Sequence, residues 1–460
     1  MTTVPNEAPA LYPPTIVTPL EPLGILPFLF TFIANPMRTL PRRVFDEPFA
    51  ILHRRRQTIV WISDPALIER VMLKDAEAFP KAPIEKRVFG SSLGQGILTA
   101  EGGHWRWQRK AAAPAFRHSE LVASIPDMVA AADAQIERWR TGPVSSTAAI
   151  DADMMTTTFD VIARTVLGGC TTKEAETIKR AGAAFLEPIS WEVGFAVVGI
   201  PEWIWHPGKR PTRKAANVLR TAVAHLVQAR MANPGSRHDL LANLIAARNP
   251  ETGKGMSESQ LVDNILTFLM AGHETTAKAL TWALYLLARA PQWQERICDE
   301  ITAVAADRPV CANDLGRFPV TQMVIKETMR LYPPAPVLSR MSMQPIEIGI
   351  HKVPPGSIIV IPIYAVHRHN RLWTDPDRFD PNRFLPECEK GFARTQFMPF
   401  GYGPRTCIGA SFAMMEATVL LTTLLRAARF DWDGYHCPEP VSRVTLRPKG
   451  GMPLKVTMRR

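Results

Sequence analysis

The sequence has no Cys-x-x-Cys pair, and its six cysteines, at 170, 298, 311, 388, 407 and 437, follow no regular spacing. That pattern argues against a zinc site and a disulfide framework, and predicts reduced thiols and a cytoplasmic setting. The first 22 residues hold no Lys or Arg, so the charged opening of a secretory signal is missing. The apolar run Leu23–Ile33 has only eleven residues and contains Pro27, against the twenty or so that a membrane-spanning helix needs. No transmembrane segment is expected; residues 1–40 read as a surface strap with at most a peripheral membrane contact. No Gly/Ser linker, charge block or internal repeat divides the rest, and the 41 prolines are spread along the chain. A single large domain over 41–460 follows, expected as a monomer. The net charge is +11, but Arg54-Arg55-Arg56 falls in a strand or turn, and Arg443–Arg460 is basic without interleaved aromatics. No nucleic acid is expected as a partner. Solvated surface explains most of the excess; the sharper reading is a basic face that attracts an acidic protein.

What the chain does have is helical periodicity, dominant from His104 to about Glu300. Phe49–Arg55 and Gln57–Ile62 read as strands, as do Ile346–Ile350 and Ser357–Ile363 around the turn Pro354-Pro355-Gly356. Asp64-Pro65 opens a helix through Leu73. Residues 81–103 are rich in glycine, lack a sustained period and read as a long loop. Residues 368–400 read as irregular, and a last helix runs from Cys407 to about Ala428. The fold class is mainly α with a small β portion near each end.

One helix stands out. Ser257-Glu-Ser-Gln260 is a capping box, and the apolar pattern continues to about Arg289, a span of roughly 32 residues or 48 Å. Its middle is interrupted by Ala271-Gly272-His273-Glu274-Thr275-Thr276. Gly272 costs about 1 kcal/mol relative to alanine inside a helix, and buried polar groups cost more unless partnered. Phe268, Ala271, Gly272, Thr275 and Ala279 share one face, with small residues where a bulky group could approach. Thr275 can bond back to the Ala271 carbonyl; Glu274 points roughly a quarter-turn away.

The most informative run is Phe400-Gly401-Tyr402-Gly403-Pro404-Arg405-Thr406-Cys407-Ile408-Gly409. It places a cysteine at a helix N-terminus, where unpaired N–H groups and the helix dipole favour thiolate, with Arg405 nearby and glycines that clear space at 401, 403 and 409. This run resembles the haem-binding loop of the cytochrome P450 family, F-x-x-G-x-R-x-C-x-G, at every specified position. Ala271–Thr276 resembles the family's oxygen-activation motif, A-G-x-(D/E)-T-T. Glu327-Thr-Met-Arg330 resembles its E-x-x-R element, Trp105-Arg-Trp-Gln-Arg109 its W-x-x-x-R helix, and Asp380-Pro-Asn-Arg383-Phe384 its later P-x-R-F element.

The resemblance implies a fold with haem b held between the long helix and the Cys407 loop. Cys407 would be the metal ligand; Trp105, Arg109, Arg340 and Arg405 would hold the propionates; Phe400, Gly401, Gly409, Ala271 and Gly272 would bound the ring. Thr275 and Glu274 would be catalytic, positioning dioxygen and supplying protons. Glu327, Arg330 and Arg383 would brace the cysteine loop. Ile97, Leu98, Phe268, Val337 and Leu338, with Ala271 and Thr275, would line the substrate pocket, whose apolar set implies a lipophilic small molecule (fatty acid, terpenoid or steroid-like). The implied activity is a monooxygenase reaction at a C–H or C=C bond, using O2 and electrons from NAD(P)H. Those electrons would arrive through a separate ferredoxin and reductase docking near Arg106, Lys110, Arg117, Lys390 and Arg394. A peroxide-driven peroxygenase of the same fold is one alternative, and a non-catalytic haem sensor another. Both have less use for the Glu274/Thr275 pair.

Overall fold

In the computed structural model, residues 10–20, 23–54, 57–142, 147–167, 170–233 and 239–459 are described. Arg55, Arg56 and the first nine residues lie outside that set. The architecture is helical around one long rod. This central helix runs Glu258–Arg289, and Ser257 and Gln260 close a reciprocal capping box at its start, as the sequence predicts. From Leu280 to Leu287 every residue is buried, so the helix is apolar all round there because it is enclosed all round. Helix Ile150–Ile162 packs along it, as does helix Lys209–Ala232. Trp282 stacks on Tyr332 with ring centroids 3.8 Å apart.

Four strands form the main sheet: β1 (Phe49–Arg54), β2 (Gln57–Ile62), β3 (Leu338–Met341) and β4 (Ile358–Ile361). The spatial order is β1-β2-β4-β3. β1 and β2 are an antiparallel hairpin, β2 runs parallel to β4 with Trp61 opposite Val360, and β3 returns antiparallel with Arg340 opposite Ile359. The predicted strand at Ile346–Ile350 ends at Ile348, because Gly349 takes φ +58° and turns the chain into His351–Val353.

Two expectations are corrected. Residues 81–103 are not one loop: Pro83–Leu93 is a helix with Pro83 in its first turn, a start signal outweighed in the sequence by the surrounding glycines. The last helix begins at Ala410 rather than Cys407, with Gly409 as its N-cap. That helix, Ala410–Ala427, is the one helix among the described residues long and apolar enough to cross a membrane, and 61% of it is buried in the protein. In the strap, Ile25–Ala34 is a helix; Leu26 is 66% and Phe30 64% exposed, whereas Phe28 is buried. Upstream, Tyr332 donates to the Pro14 carbonyl at 2.8 Å and Tyr364 accepts from the Ile16 N–H at 3.1 Å, so the leader is tied to the body.

Candidate active site

Between the central helix, β3 and the cysteine loop lies a cavity of about 940 Å³. Ile97, Leu98, Trp105, Arg109, Phe268, Ala271, Gly272, Thr275, Val337, Leu338, Arg340, Phe400, Gly401, Arg405, Cys407 and Gly409 all line it. Glu274 does not. Its carboxylate is buried and accepts from the Thr445 hydroxyl at 2.7 Å. The adjacent Thr275 Oγ1 donates to the Ala271 carbonyl at 2.9 Å, the back-bond the sequence allows.

The glycines divide by task. A side chain at Gly272 would meet Ile162 Cδ1 at 2.7 Å, so this residue is small to let the neighbouring helix approach. At Gly403, where φ is +72°, a Cβ would fall 1.9 Å from the Met72 carbonyl oxygen; that glycine seats the loop on the chain behind it. At Gly409 a Cβ would be in ordinary contact with Phe116 at 3.6 Å and the Cys407 sulfur at 3.9 Å, so this glycine is not forced by a neighbour and keeps the cavity wall beside the sulfur thin. Only some of the small residues therefore clear room for a ligand.

Cys407 is fixed by its own N–H, which donates to the Phe400 carbonyl at 2.9 Å. Its side chain is open to the cavity while protein encloses it on the other sides, so it is at once accessible and desolvated. Burial pushes the thiol pKa up, and the Gly409 N–H and the Arg109 charge only partly oppose this. The expectation that the helix terminus and the nearby Arg405 favour thiolate is thus corrected: desolvation outweighs the opposing N–H and charge, and a bound cation is what would hold this sulfur deprotonated.

The cavity arginines are poorly partnered. Arg340 is 6% exposed, and among the described residues its guanidinium hydrogen-bonds only the Ser339 carbonyl, at 2.7 Å. Arg109 makes no hydrogen bond or ion pair among the described residues; its guanidinium lies 5.9 Å from the Trp105 ring. Arg405 stacks on the same ring at 3.9 Å and pairs with Glu101 and the Ala100 carbonyl. Burial lowers the pKa of all three. Such cations suit an anion brought from outside.

Three comparisons bear on this geometry. The Cytochrome P450 family model matches residues 15–454. This chain belongs to the cytochrome P450 family. It is 31% identical over 409 residues to a cytokinin hydroxylase of Arabidopsis thaliana, covering 85% of this chain and 77% of that one. It is 31% identical to a cyclooctat-9-en-7-ol 5-monooxygenase of Streptomyces melanosporofaciens, with 78% and 77% covered. It is 30% identical to a pentalenene oxygenase of Streptomyces avermitilis, with 86% and 87% covered. The haem domain of cytochrome P450DA superposes with TM-score 0.80 at 24% identity, covering 97% of this chain and 99% of that one; this shows the shared fold. The protein is a cytochrome P450 monooxygenase, a family whose members use haem, O2, a substrate and a source of electrons.

The residues present fit haem. One cavity offers a thiol, glycine backbone at Gly409 on its wall, and two arginines, Arg340 buried and Arg109 half-buried, that pair with no carboxylate among the described residues.

Behind the cysteine loop of this P450, Glu327 and Arg330 are fully buried and joined twice, Nε–Oε2 at 2.6 Å and Nη2–Oε1 at 2.8 Å. Arg383 Nε lies 3.6 Å from Glu327 Oε1, and its fork donates to the Thr374 and Asp375 carbonyls at 2.6 and 2.7 Å. No sequence motif marks His367, and its role emerges only in the fold. Its carbonyl accepts from Arg330 at 2.9 Å, and its Nε2 accepts from the Met398 N–H at 3.0 Å, two residues before Phe400. It thereby links the brace to the root of the loop. Burial, then the charge of Arg330, pushes His367 down to about 3, so it stays neutral and keeps Nε2 as an acceptor. Glu416, fully buried on the C-terminal helix, is likewise unmarked.

Proposed function

We propose that this P450 inserts one oxygen atom into a C–H or C=C bond of a lipophilic, terpenoid-like small molecule. Its electrons would come from NAD(P)H through a separate ferredoxin and reductase, in the cytoplasm. The observation that carries the substrate class is the cavity wall, where Ile97, Leu98, Phe268, Val337 and Leu338 share one space with Thr275 and Cys407. An apolar wall with few polar groups selects by shape and desolvation. Two of the relatives are named for cyclooctat-9-en-7-ol and pentalenene, which supports a hydrocarbon-rich substrate.

Bound haem supplies the dioxygen chemistry that no side chain performs. In this reading Cys407 holds its metal, and Trp105, Arg109, Arg340 and Arg405 hold its carboxylates. Phe400, Gly401, Gly409 and Ala271 would bound its ring, with the Gly272 backbone on the same wall and its Cβ position turned to Ile162. Thr275 offers a hydroxyl to dioxygen and water, releasing the Ala271 carbonyl as it does so. Glu274 is the proton source; because its carboxylate sits on Thr445 outside the cavity lining, its proton reaches Thr275 through water or after the side chain turns. Helix Gly102–Ala112 presents Trp105 and Arg109 to the cavity and Arg106 and Lys110 to solvent. With exposed Arg117, Lys390 and Arg394, these form the basic surface assigned to the acidic electron donor.

The test begins with substrate-induced spin-state shifts of the haem-loaded protein across terpenes and polar compounds of similar size. Shifts confined to polar compounds would overturn the substrate class. With a compound that is turned over, Thr275→Ala is expected to keep the reduced carbon-monoxide spectrum while diverting electrons to hydrogen peroxide; unchanged product per electron would remove Thr275 from the mechanism. Equal turnover with peroxide alone would replace the ferredoxin reading with the peroxygenase one.

A further inference from the structure

A second, smaller recess lies where the C-terminal half of the central helix meets the hairpin Pro440–Pro448 and the turn that follows. Its volume is about 280 Å³, and its lining includes Lys278, Arg443, Arg447, Lys449 and a single carboxylate, Asp151. It shares only Arg443 with the oxidation cavity.

Lys278 decides what this recess is for. It projects from the central helix, is 7% exposed, and has neither hydrogen bond nor ion pair among the described residues. The nearby acids are committed elsewhere: Asp151 accepts the Met452 N–H at 3.0 Å, and Glu274 accepts Thr445 at 2.7 Å. Burial lowers the Lys278 pKa, and the charges of Glu274 and Asp151 only partly oppose this, the mark of an ammonium incompletely compensated. Arg447, half-buried, also lacks a partner among the described residues. Arg443 spends one nitrogen on the Ile33 carbonyl and Ser190 Oγ, while its Nε stays buried and unpartnered. Among the described residues Lys449 has only Glu439, at 3.4 Å. A sequence that needed only packing at 278 would carry leucine or methionine.

We propose that this recess binds a phosphate-bearing anion, with Lys278 and Arg447 as its principal ligands and Arg443 and Lys449 at its border. Four cations face one carboxylate, an excess that matches a multiply charged anion better than a monoanion. Arginine's fork and lysine's compact charge both suit phosphate oxygens. The volume equals that of about nine waters at roughly 30 Å³ each, room for a diphosphate group with part of its hydration. Two sources present this chemistry: a free phosphoanion, or a lipid headgroup reached beside the strap helix, whose last residue Ala34 lines the recess and whose Leu26 and Phe30 are exposed.

The experiment uses the full-length, haem-loaded protein in two arms. Inorganic pyrophosphate is titrated calorimetrically at ionic strength fixed with sodium chloride. Separately, flotation is measured with vesicles of phosphatidylcholine alone and with added phosphatidic acid. Wild type is expected to bind saturably in at least one arm, and Lys278→Met and Arg447→Ala are each expected to weaken that binding at least tenfold. Saturation with pyrophosphate identifies the free anion; binding only to phosphatidic acid vesicles identifies the headgroup. Absence of saturable binding in both arms overturns the site, as does wild-type affinity in Arg447→Ala, whose half-exposed position keeps that variant informative should Lys278→Met fold poorly.

Discussion

Two clusters of arginine in this P450 are equally buried in character yet opposite in how they are satisfied. Behind the cysteine loop, Arg330 is fully enclosed and every arm of its guanidinium is used, on Glu327 and on the His367, Pro376 and Arg378 carbonyls. At the cavity, Arg340 is 6% exposed and donates to one carbonyl. The first arrangement is complete within the chain, so its energy belongs to folding. The second leaves donors aimed into a space, so part of its energy is available only to a ligand that enters. Partner count therefore separates a structural charge from a binding charge more sharply than burial does.

Breaking the first cluster should have the largest effect. Glu327→Ala leaves Arg330 buried and unpaired, and is expected to lower stability by about 3–5 kcal/mol. Denaturant midpoints should fall in both haem-free and haem-loaded protein. Arg340→Leu is expected to do the reverse to the haem-free chain, leaving its midpoint unchanged or higher, because a desolvated cation without an anion is removed. The loss appears on haem instead: one charge-assisted hydrogen bond, about 1.5–3 kcal/mol, or roughly ten- to a hundredfold faster transfer to a haem-scavenging apoglobin. Should Arg340→Leu destabilise the haem-free protein as Glu327→Ala does, the distinction between the clusters fails.

The sequence carries one side of this contrast better than the other. Local chemistry was legible: Ser257 and Gln260 mark the start of the central helix, and Phe49–Ile62 shows its hairpin through β-branched and aromatic residues. The cavity residues were reachable because motif order brings them together. What was hidden depends on neighbours far along the chain. Leu338–Met341 becomes a strand only by pairing with Ile358–Ile361, and its own composition includes an arginine and a serine. His367 looks ordinary until Met398 and Arg330 are placed around it. Gly272 and Gly403 look like clearance for a ligand until Ile162 and Met72 are found against them. Charge satisfaction is a property of the folded surroundings, and no spacing rule reports it.

Glu416 tests the comparison from a third side and with the smallest signal. Like Glu327 it is fully buried, but no arginine among the described residues meets it. The Thr276 hydroxyl is near enough to favour the charged form slightly, yet neither carboxylate oxygen has a hydrogen-bond partner of ordinary geometry among the described residues. Burial accordingly pushes its pKa up to about 8, and the group escapes the cost of a buried charge by keeping its proton. Between the ordinary glutamate range and about 8 the folded chain holds one proton that the unfolded chain has released. Stability must therefore decline as pH rises through that window, by at most about 1.4 kcal/mol per unit from this group, and level off above it. Glu416→Gln removes the titration. Urea unfolding of both proteins from pH 5 to pH 9 is expected to show the wild type losing ground to the variant up to about pH 8 and running parallel beyond. A difference that stays flat across the range would mean that Glu416 is ionised and has found a partner, and that partner count alone does not sort the buried charges of this fold.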